Sequence, residues 1–163
     1  MIKPGDTLPD ANLNESLEFG DACPLPPKPV NTTEAAKGKR IVIFGLPGAY
    51  TPTCSAKHVP GYVKQLAALK AKGIDEVWCV AVNDGYVMAA WGKEQGAIGK
   101  VRMLGDGGAD FAKKLGLESE IPGMGVRLKR CSLLVEDGVV KQVNVEPPKE
   151  FGVSSAEHML GSL

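Results

Sequence analysis

The fold prediction starts from Arg40-Ile41-Val42-Ile43-Phe44-Gly45-Leu46, which is followed directly by Pro47-Gly48-Ala49-Tyr50. The first stretch is almost entirely apolar and rich in β-branched residues, which is typical of a strand that is covered on both faces. Pro47 and Gly48 interrupt the apolar run and end the strand. We therefore expect this strand to lie inside a sheet, with other elements packed above and below it.

Helices and strands alternate along the rest of the chain. The predicted helices run from Thr51-Pro52 to about Lys72, from Asn83-Asp84 through Trp91, over Phe111–Leu115, and onward from Ser154-Ser155-Ala156-Glu157. The further predicted strands are Ile74–Val82, Val101–Leu104, Arg130–Val135 and Val139–Val145. Pro60-Gly61 predicts a kink near the start of the first helix. Asp137-Gly138 predicts a hairpin turn, and the serine pair before the last helix has the spacing of a capping box.

This order of elements predicts an α/β fold, a three-layer sandwich with a central mixed β-sheet and helices on both faces. The length of 163 residues is expected for one domain, so we assign residues 1–163 to it. The proline-rich segment Pro24–Pro29 is interpreted as a surface loop, with a polyproline ligand as the alternative.

Composition and charge exclude several classes of protein. Lys and Arg together number 19, as do Asp and Glu, so no basic excess favours binding to nucleic acid. No apolar run is long enough for a transmembrane helix, and the first residues lack the apolar stretch of a signal peptide. We therefore expect no membrane partner and a cytoplasmic location, or an organelle matrix if a transit peptide has been removed.

The four cysteines are too few for a scaffold built on disulfides, and none of them forms a CxxC pair. This pattern argues against a zinc ribbon, and we expect neither a metal nor another cofactor. Cys79 and Cys131 lie within strand patterns and are interpreted as small buried apolar residues. In a reducing compartment, a cysteine with a functional role would act as a free thiol and not as part of a disulfide.

Cys54 differs from the others because it lies at the start of the first long helix. Pro52 suits the first helical position, which makes Thr51 the N-cap and Cys54 the third helical residue. This spacing predicts that the Thr51 hydroxyl and the Cys54 sulfur lie close together. The free N–H groups and partial positive charge of the helix terminus favour the thiolate over the thiol. We therefore predict a reactive Cys54, at a position that is not expected to belong to the core.

His58 lies four residues after Cys54 and should lean toward it on the same helical face. It is interpreted as a hydrogen-bonded polar neighbour, as a cation that helps the thiolate, or as half of a metal pair. A Cys–His hydrolase is a weaker alternative, since nothing marks an oxyanion partner. The segment Arg127-Leu128-Lys129-Arg130 resembles an exposed basic edge, and physical reasoning alone does not decide which cation faces Cys54.

Pro47-Gly48-Ala49-Tyr50-Thr51-Pro52-Thr53-Cys54-Ser55 resembles the PGA(F/Y)TPxCS motif of the peroxiredoxins, specifically the atypical type II group. The similarity extends over nearly the whole chain and is weakest over residues 12–31. It implies a thioredoxin-like fold and an oxidoreductase that reduces hydrogen peroxide, alkyl hydroperoxides and often peroxynitrite without metal or haem. Family members commonly form homodimers, for which we name Tyr50 and the Asp84–Trp91 region as contact candidates.

The resemblance also implies roles for individual residues. The Cys54 thiolate would attack the peroxide oxygen and become a sulfenic acid. Thr51 would form hydrogen bonds with the sulfur and the peroxide, and Pro47 would shield the pocket from water. Arg130 would stabilise the thiolate and the negative charge that develops on the leaving oxygen. The N–H groups of Thr53 and Cys54 would bind the peroxide, and His58 is grouped among the substrate-binding residues.

The step that follows peroxide reduction needs a second thiol. Cys79 matches the resolving position of plant-like members, 25 residues after Cys54, but its strand is predicted to be buried. We therefore favour an external thiol, either glutaredoxin with glutathione or thioredoxin. Cys23 is a weaker candidate, and Cys131 is interpreted as replacing a core residue.

Two alternatives to the thiol peroxidase remain. A thioredoxin-like disulfide reductase is disfavoured because Thr51 occupies the first cysteine position of a CxxC motif. A redox sensor or chaperone would keep the fold and oxidise Cys54 without turning over peroxide.

Overall fold

A mixed seven-stranded sheet forms the centre of the computed structural model, which describes residues 1–163. Its strand order is β2-β1-β5-β4-β3-β8-β9, and β6 and β7 form a separate hairpin. The strands are β1 (Asn12–Glu15), β2 (Lys28–Asn31), β3 (Arg40–Gly45), β4 (Glu76–Ala81), β5 (Arg102–Gly105), β6 (Glu118–Ile121), β7 (Gly125–Leu128), β8 (Cys131–Glu136) and β9 (Val139–Val145).

Helices cover both faces of this sheet. They are α1 (Thr32–Ala36), α2 (Val59–Lys64), α3 (Leu66–Ala71), α4 (Gly85–Glu94), α5 (Asp110–Leu115) and α6 (Ala156–Ser162). Apolar residues of α1 and α5 pack on one face, and those of α2, α3, α4 and α6 pack on the other. No helix combines the length and the apolar character needed to cross a membrane. The predicted three-layer sandwich with a mixed sheet is confirmed.

Strand β3 lies inside the sheet, as its apolar sequence predicts. It pairs in parallel with β4 and antiparallel with β8. Ile41 and Ile43 pack into the core on one face, while Val42 and Phe44 pack into the core on the other. Because both faces of the sheet are covered, the side chains that point to either face are in an apolar environment. This explains why the strand sequence is apolar throughout and does not alternate with polar residues.

Sequence reasoning missed the short elements β1, β2, α1, β6 and β7. Strand β2 lies at the edge of the sheet and contains Pro29, so the end of the segment interpreted as a surface loop belongs to a strand. Proline is tolerated there because an edge strand leaves one row of N–H groups unpaired. All four missed strands are only four residues long, and β1 and β6 are mostly polar, so neither periodicity nor composition predicts them.

The first long helix is less regular than predicted. Residues Cys54–His58 form a π-helical turn, α2 follows it, and a break at Gln65 separates α2 from α3. The irregularity therefore comes just before Pro60, near the place where the kink was expected. At the C-terminus the cap is Ser155 and not Ser154, since the Ser155 hydroxyl accepts a hydrogen bond from the His158 N–H at 3.1 Å.

Candidate active site

Two side chains from other elements hold the loop that joins β3 to the first helix. The Asn83 side-chain oxygen accepts a hydrogen bond from the Ala49 N–H at 2.9 Å, and Arg127 donates to the Pro47 carbonyl at 3.1 Å. Tyr50 adopts a left-handed conformation with a φ of 63°. That conformation costs about 1–3 kcal/mol in a residue other than glycine, so contacts around the loop must offset it.

Cys54 lies in the first turn of the helix that follows this loop, as predicted. Its side chain is fully buried and belongs to the core on the α2 side of the sheet, so the expectation that this is not a core position is wrong. The Ser55 N–H is the first to find a backbone acceptor, the Thr51 carbonyl at 3.0 Å. The preceding N–H groups of Thr53 and Cys54 have no acceptor within the helix, so they are available to a ligand.

Arg130 is the cation that faces Cys54. Its Nη2 donates to the Cys54 sulfur at 3.1 Å, although 76 residues separate the two along the chain. A hydrogen bond from a guanidinium favours the charged thiolate over the neutral thiol. Of the basic residues in segment 127–130, Arg130 contacts the sulfur, whereas Arg127 contacts the loop between β3 and the first helix.

His58 contacts Arg130 and not the sulfur. Its Nδ1 lies 2.9 Å from Arg130 Nη1, and its Nε2 lies 3.1 Å from the Ser154 carbonyl oxygen. Because a guanidinium can only donate, Nδ1 accepts and Nε2 carries the proton. Burial, together with the charge of Arg130, lowers the pKa of His58 from 6.5 to about 3. The imidazole is therefore neutral, and the interpretation of His58 as a cation that helps the thiolate is wrong.

The grouping of His58 with the substrate-binding residues also needs correction. The side chain is fully buried, and both ring nitrogens are already engaged in hydrogen bonds. The α-helical spacing used for the prediction does not hold, because the π-helical turn places the Val59 N–H against the Cys54 carbonyl, five residues back. The interpretation as a hydrogen-bonded polar neighbour is the one that the geometry supports.

A second group of side chains holds His58 in place. The Ser154 carbonyl accepts from His58 and also from the Tyr62 hydroxyl at 2.9 Å. The Glu146 carboxylate in turn accepts from the Ser154 hydroxyl at 2.7 Å and from its N–H at 2.9 Å. Burial raises the pKa of Glu146, but these hydrogen bonds and one from Gly152 outweigh burial and keep the pKa below its usual value.

The Thr51 hydroxyl donates to the loop backbone and not to the Cys54 sulfur. It donates to the Gly48 carbonyl at 2.8 Å, and no hydrogen bond joins it to the Cys54 sulfur. The hydrogen bond to the sulfur that the family resemblance implies is therefore not formed in this structure. Since its proton is used by Gly48, the hydroxyl oxygen is free to accept a hydrogen bond from a bound molecule.

An open cleft of about 460 Å³ adjoins this group of residues. Pro47, Thr53 and Arg130 are among its lining residues, which places three of the predicted site residues around one space. Its other lining residues are Ser119, Ile121, Leu128, Lys129, Val145, Glu146, Pro147, Pro148, Lys149 and Glu150. Cys54, Thr51, His58 and Cys79 do not line the cleft, so the buried sulfur lies behind Thr53 and Arg130.

The other cysteines lie in different environments. Cys79, in the middle of β4, is fully buried, and burial raises the pKa of its thiol well above the usual value. Cys131 is buried against Gly45, and burial raises its pKa to about 12. Cys23 is exposed. Neither buried thiol ionises near neutral pH, so neither competes with Cys54 as a nucleophile.

Sequence reasoning missed the supporting roles of four residues: Asn83, Arg127, Glu146 and Ser154. Asn83 was read only as part of a helix-capping pair, and Ser154 only as a cap. Their contacts cross between elements that are far apart in the chain, so no local signal could have indicated them. Together, the buried sulfur, the guanidinium and the free N–H groups can hold a thiolate beside a polar oxygen-containing molecule.

Comparison with known proteins gives consistent matches. The Redoxin family model matches residues 3–160. The chain is 44% identical to the chloroplastic Peroxiredoxin-2E of Arabidopsis thaliana over 167 residues, which cover 99% of this chain and 69% of that protein. It is 42% identical to Peroxiredoxin-2B of the same plant over 169 residues, covering 99% of this chain and 98% of the relative.

A solved structure matches the whole architecture. Reduced Prx3 from Vibrio vulnificus, crystallised in complex with H2O2, superposes with a TM-score of 0.90 at 42% sequence identity. The match covers 99% of each chain.

The neutral state of His58 predicts a loss of stability in acid. The unfolded chain protonates this imidazole near 6.5 and the folded protein only near 3, so the free energy of unfolding falls as the pH decreases between these values. At pH 5 we expect this group to lower the stability by about 2 kcal/mol relative to neutral pH. His58→Gln should remove this part of the pH dependence in urea denaturation curves.

His158→Gln is the matched control, because His158 is an exposed histidine on α6. We expect this variant to keep the pH dependence of the wild type. The same slope in wild type and His58→Gln would contradict a neutral buried imidazole.

Proposed function

This chain belongs to the Redoxin family and is a type II peroxiredoxin, a thiol-dependent peroxidase, and on that basis we propose that Cys54 is the residue that reduces the peroxide. The observation that carries this proposal is the hydrogen bond from Arg130 to the Cys54 sulfur, at the start of a helix and beside an open cleft. The proposed substrates are hydrogen peroxide, alkyl hydroperoxides and peroxynitrite.

The proposed reaction is a displacement at oxygen. The Cys54 thiolate attacks one peroxide oxygen, an S–O bond forms, and the O–O bond breaks with its electron pair leaving on the second oxygen. That oxygen takes a proton and departs as water from hydrogen peroxide or as an alcohol from an alkyl hydroperoxide, whereas peroxynitrite releases nitrite. In each case Cys54 becomes a sulfenic acid. Arg130 stabilises the thiolate at the start and the negative charge that develops on the leaving oxygen.

The residues around the sulfur hold the peroxide in line for this attack. The free N–H groups of Thr53 and Cys54 donate to the peroxide oxygens, and the Thr51 hydroxyl oxygen accepts from the peroxide O–H. Pro47 forms an apolar wall of the cleft and limits the access of water. Such alignment lowers the barrier because it removes the entropy cost of bringing two reactants together.

An external thiol is proposed to reduce the sulfenic acid. A first thiol condenses with it to form a mixed disulfide and water, and a second thiol then releases Cys54. Glutaredoxin with glutathione, or thioredoxin, would supply these thiols. Cys79 is a poor alternative, because it lies fully buried in β4 and its thiol stays protonated. Attack by Cys79 would also require the two cysteines to meet the short distances of a disulfide.

We further propose a homodimer and a reducing compartment. Tyr50, in the loop before Cys54, and Tyr86, on α4, are large exposed side chains, whereas Trp91, in the predicted contact region, is buried and unavailable. Sedimentation of a monomer at micromolar concentration would overturn the dimer. The cytoplasm or an organelle matrix would keep the four free cysteines reduced.

Intact-protein mass spectrometry after one equivalent of hydrogen peroxide tests the role of Cys54. We expect the wild type and Cys79→Ser to gain about 16 Da, one oxygen atom, and to form a mixed disulfide when glutathione is added. Cys54→Ser should show neither change. A loss of about 2 Da that requires both cysteines would instead establish an internal disulfide and identify Cys79 as the resolving thiol. Oxidation of Cys54 without steady-state consumption of peroxide would indicate a redox sensor.

The role of Arg130 predicts a large kinetic effect. Arg130→Met should lower the second-order rate constant with hydrogen peroxide by about 100-fold or more, because one charged donor aimed at the reacting atoms is lost. Arg130→Lys should be intermediate, since it keeps the charge but lacks the rigid fork with which Nη1 and Nη2 donate separately to His58 and the sulfur. Lys64→Met removes the same charge from an exposed position on α2 and should react like the wild type. Equal rates for Arg130→Met and the control would contradict this role.

A further inference from the structure

The loop before Cys54 is held at two consecutive peptide groups. Arg127 Nη1 donates to the carbonyl of the Pro47–Gly48 peptide at 3.1 Å. The next peptide, Gly48–Ala49, is held at both ends: its carbonyl accepts from the Thr51 hydroxyl and its N–H donates to Asn83. Fixing one atom of the first peptide and two of the second leaves this part of the loop little freedom to rotate.

The Arg127 guanidinium packs directly against the backbone of Gly48. A Cβ at this buried position would lie 2.5 Å from Arg127 Nη1, whereas its next closest neighbour is the Asn83 side-chain oxygen at 3.5 Å. The φ of Gly48 is not in the left-handed region, so backbone conformation does not require a glycine. A side chain at this position would therefore have to displace the guanidinium from its place against the loop.

Arg127 is itself anchored on the hairpin of β6 and β7. Its Nε donates to the carbonyl of Met124 in the hairpin turn at 3.1 Å, so the guanidinium bridges two backbone carbonyls. Arg127 does not line the cleft, but Pro47, which it holds, does. It can therefore influence the reaction only through the position of the loop.

From this geometry we infer that Arg127 is a positioning residue for peroxide reduction. Its guanidinium holds the Pro47–Gly48 peptide so that the Pro47 wall and the Gly48 carbonyl, which orients the Thr51 hydroxyl, keep their places around the peroxide. The inference rests on the proposed role of Cys54. It also accounts for the left-handed Tyr50, because a strained residue persists only where its neighbours are fixed on several sides.

Two rate constants of the reduced protein separate positioning from other effects. The first is the reaction of Cys54 with hydrogen peroxide, which depends on the alignment of the bound peroxide. The second is alkylation by iodoacetamide, which depends on thiolate content and access. We expect Arg127→Met to slow the peroxide reaction at least about ten-fold, while alkylation stays equal or becomes faster as the loop loosens. Arg127→Lys should recover part of the peroxide rate, because an ammonium can still donate to Pro47.

Arg40→Met is the matched control. Arg40 also donates to a backbone carbonyl, that of Lys72, but at the opposite end of β3 from the loop. Its loss should leave both rate constants within about two-fold of the wild type.

Gly48→Ala provides a second, independent variant. Its added methyl group should displace the guanidinium while Arg127 remains, and so slow the peroxide reaction to a similar extent. In the double variant with Arg127→Met the methyl group has room, so we expect no further loss beyond the single variants. If Arg127→Met does not fold, Gly48→Ala alone decides the question by the same pair of rate constants.

Three results would overturn the inference. The first is an unchanged peroxide rate in Arg127→Met, or in Gly48→Ala if the former does not fold. The second is a parallel fall of both rate constants, which would indicate a loss of thiolate or of folded protein. The third is a double variant whose loss equals the product of the single losses. A wild type that does not react with peroxide at Cys54 would instead overturn the proposed function.

Discussion

The hydrogen bond between Arg130 and the Cys54 sulfur is the contact on which the rest of the site depends. Cys54 is fully buried, and a buried thiolate without a partner would carry a large desolvation penalty. The guanidinium provides the opposite charge, and the start of the helix adds the partial charges of free N–H groups. A position that looks like ordinary core can therefore hold a reactive anion.

The neutrality of His58 follows from the same constraint. If the imidazole were protonated, it would place a second cation against Arg130 and lose the ability to accept its N–H. Burial and the guanidinium charge both favour the neutral form, and the Ser154 carbonyl determines which nitrogen keeps the proton. The chain of contacts continues through Ser154 to Glu146, so the loop before α6 helps to orient a guanidinium more than 15 residues upstream in sequence.

Local signals predicted the elements that carry the site. The apolar run of β3, the Asp84 cap of α4 and the Asp137-Gly138 turn are all determined by residues within one strand or one helical turn, and each is confirmed. The prediction that His58 leans toward Cys54 also used local spacing. It assumed an α-helix, whereas Cys54–His58 forms a π-helical turn. A π-helical turn has no clear signature in composition, so the direction of His58 was misjudged.

The sequence by itself determined the α/β class, the mixed sheet, and the presence of Cys54 in the first turn of a helix after a buried strand. Only the tertiary structure decided that Arg130 faces the sulfur and that Arg127 holds the loop. The physical reason is sheet register. Pairing of Gly45 with Cys131 brings the residue before β8 to the end of β3, and such a pairing depends on contacts between distant segments.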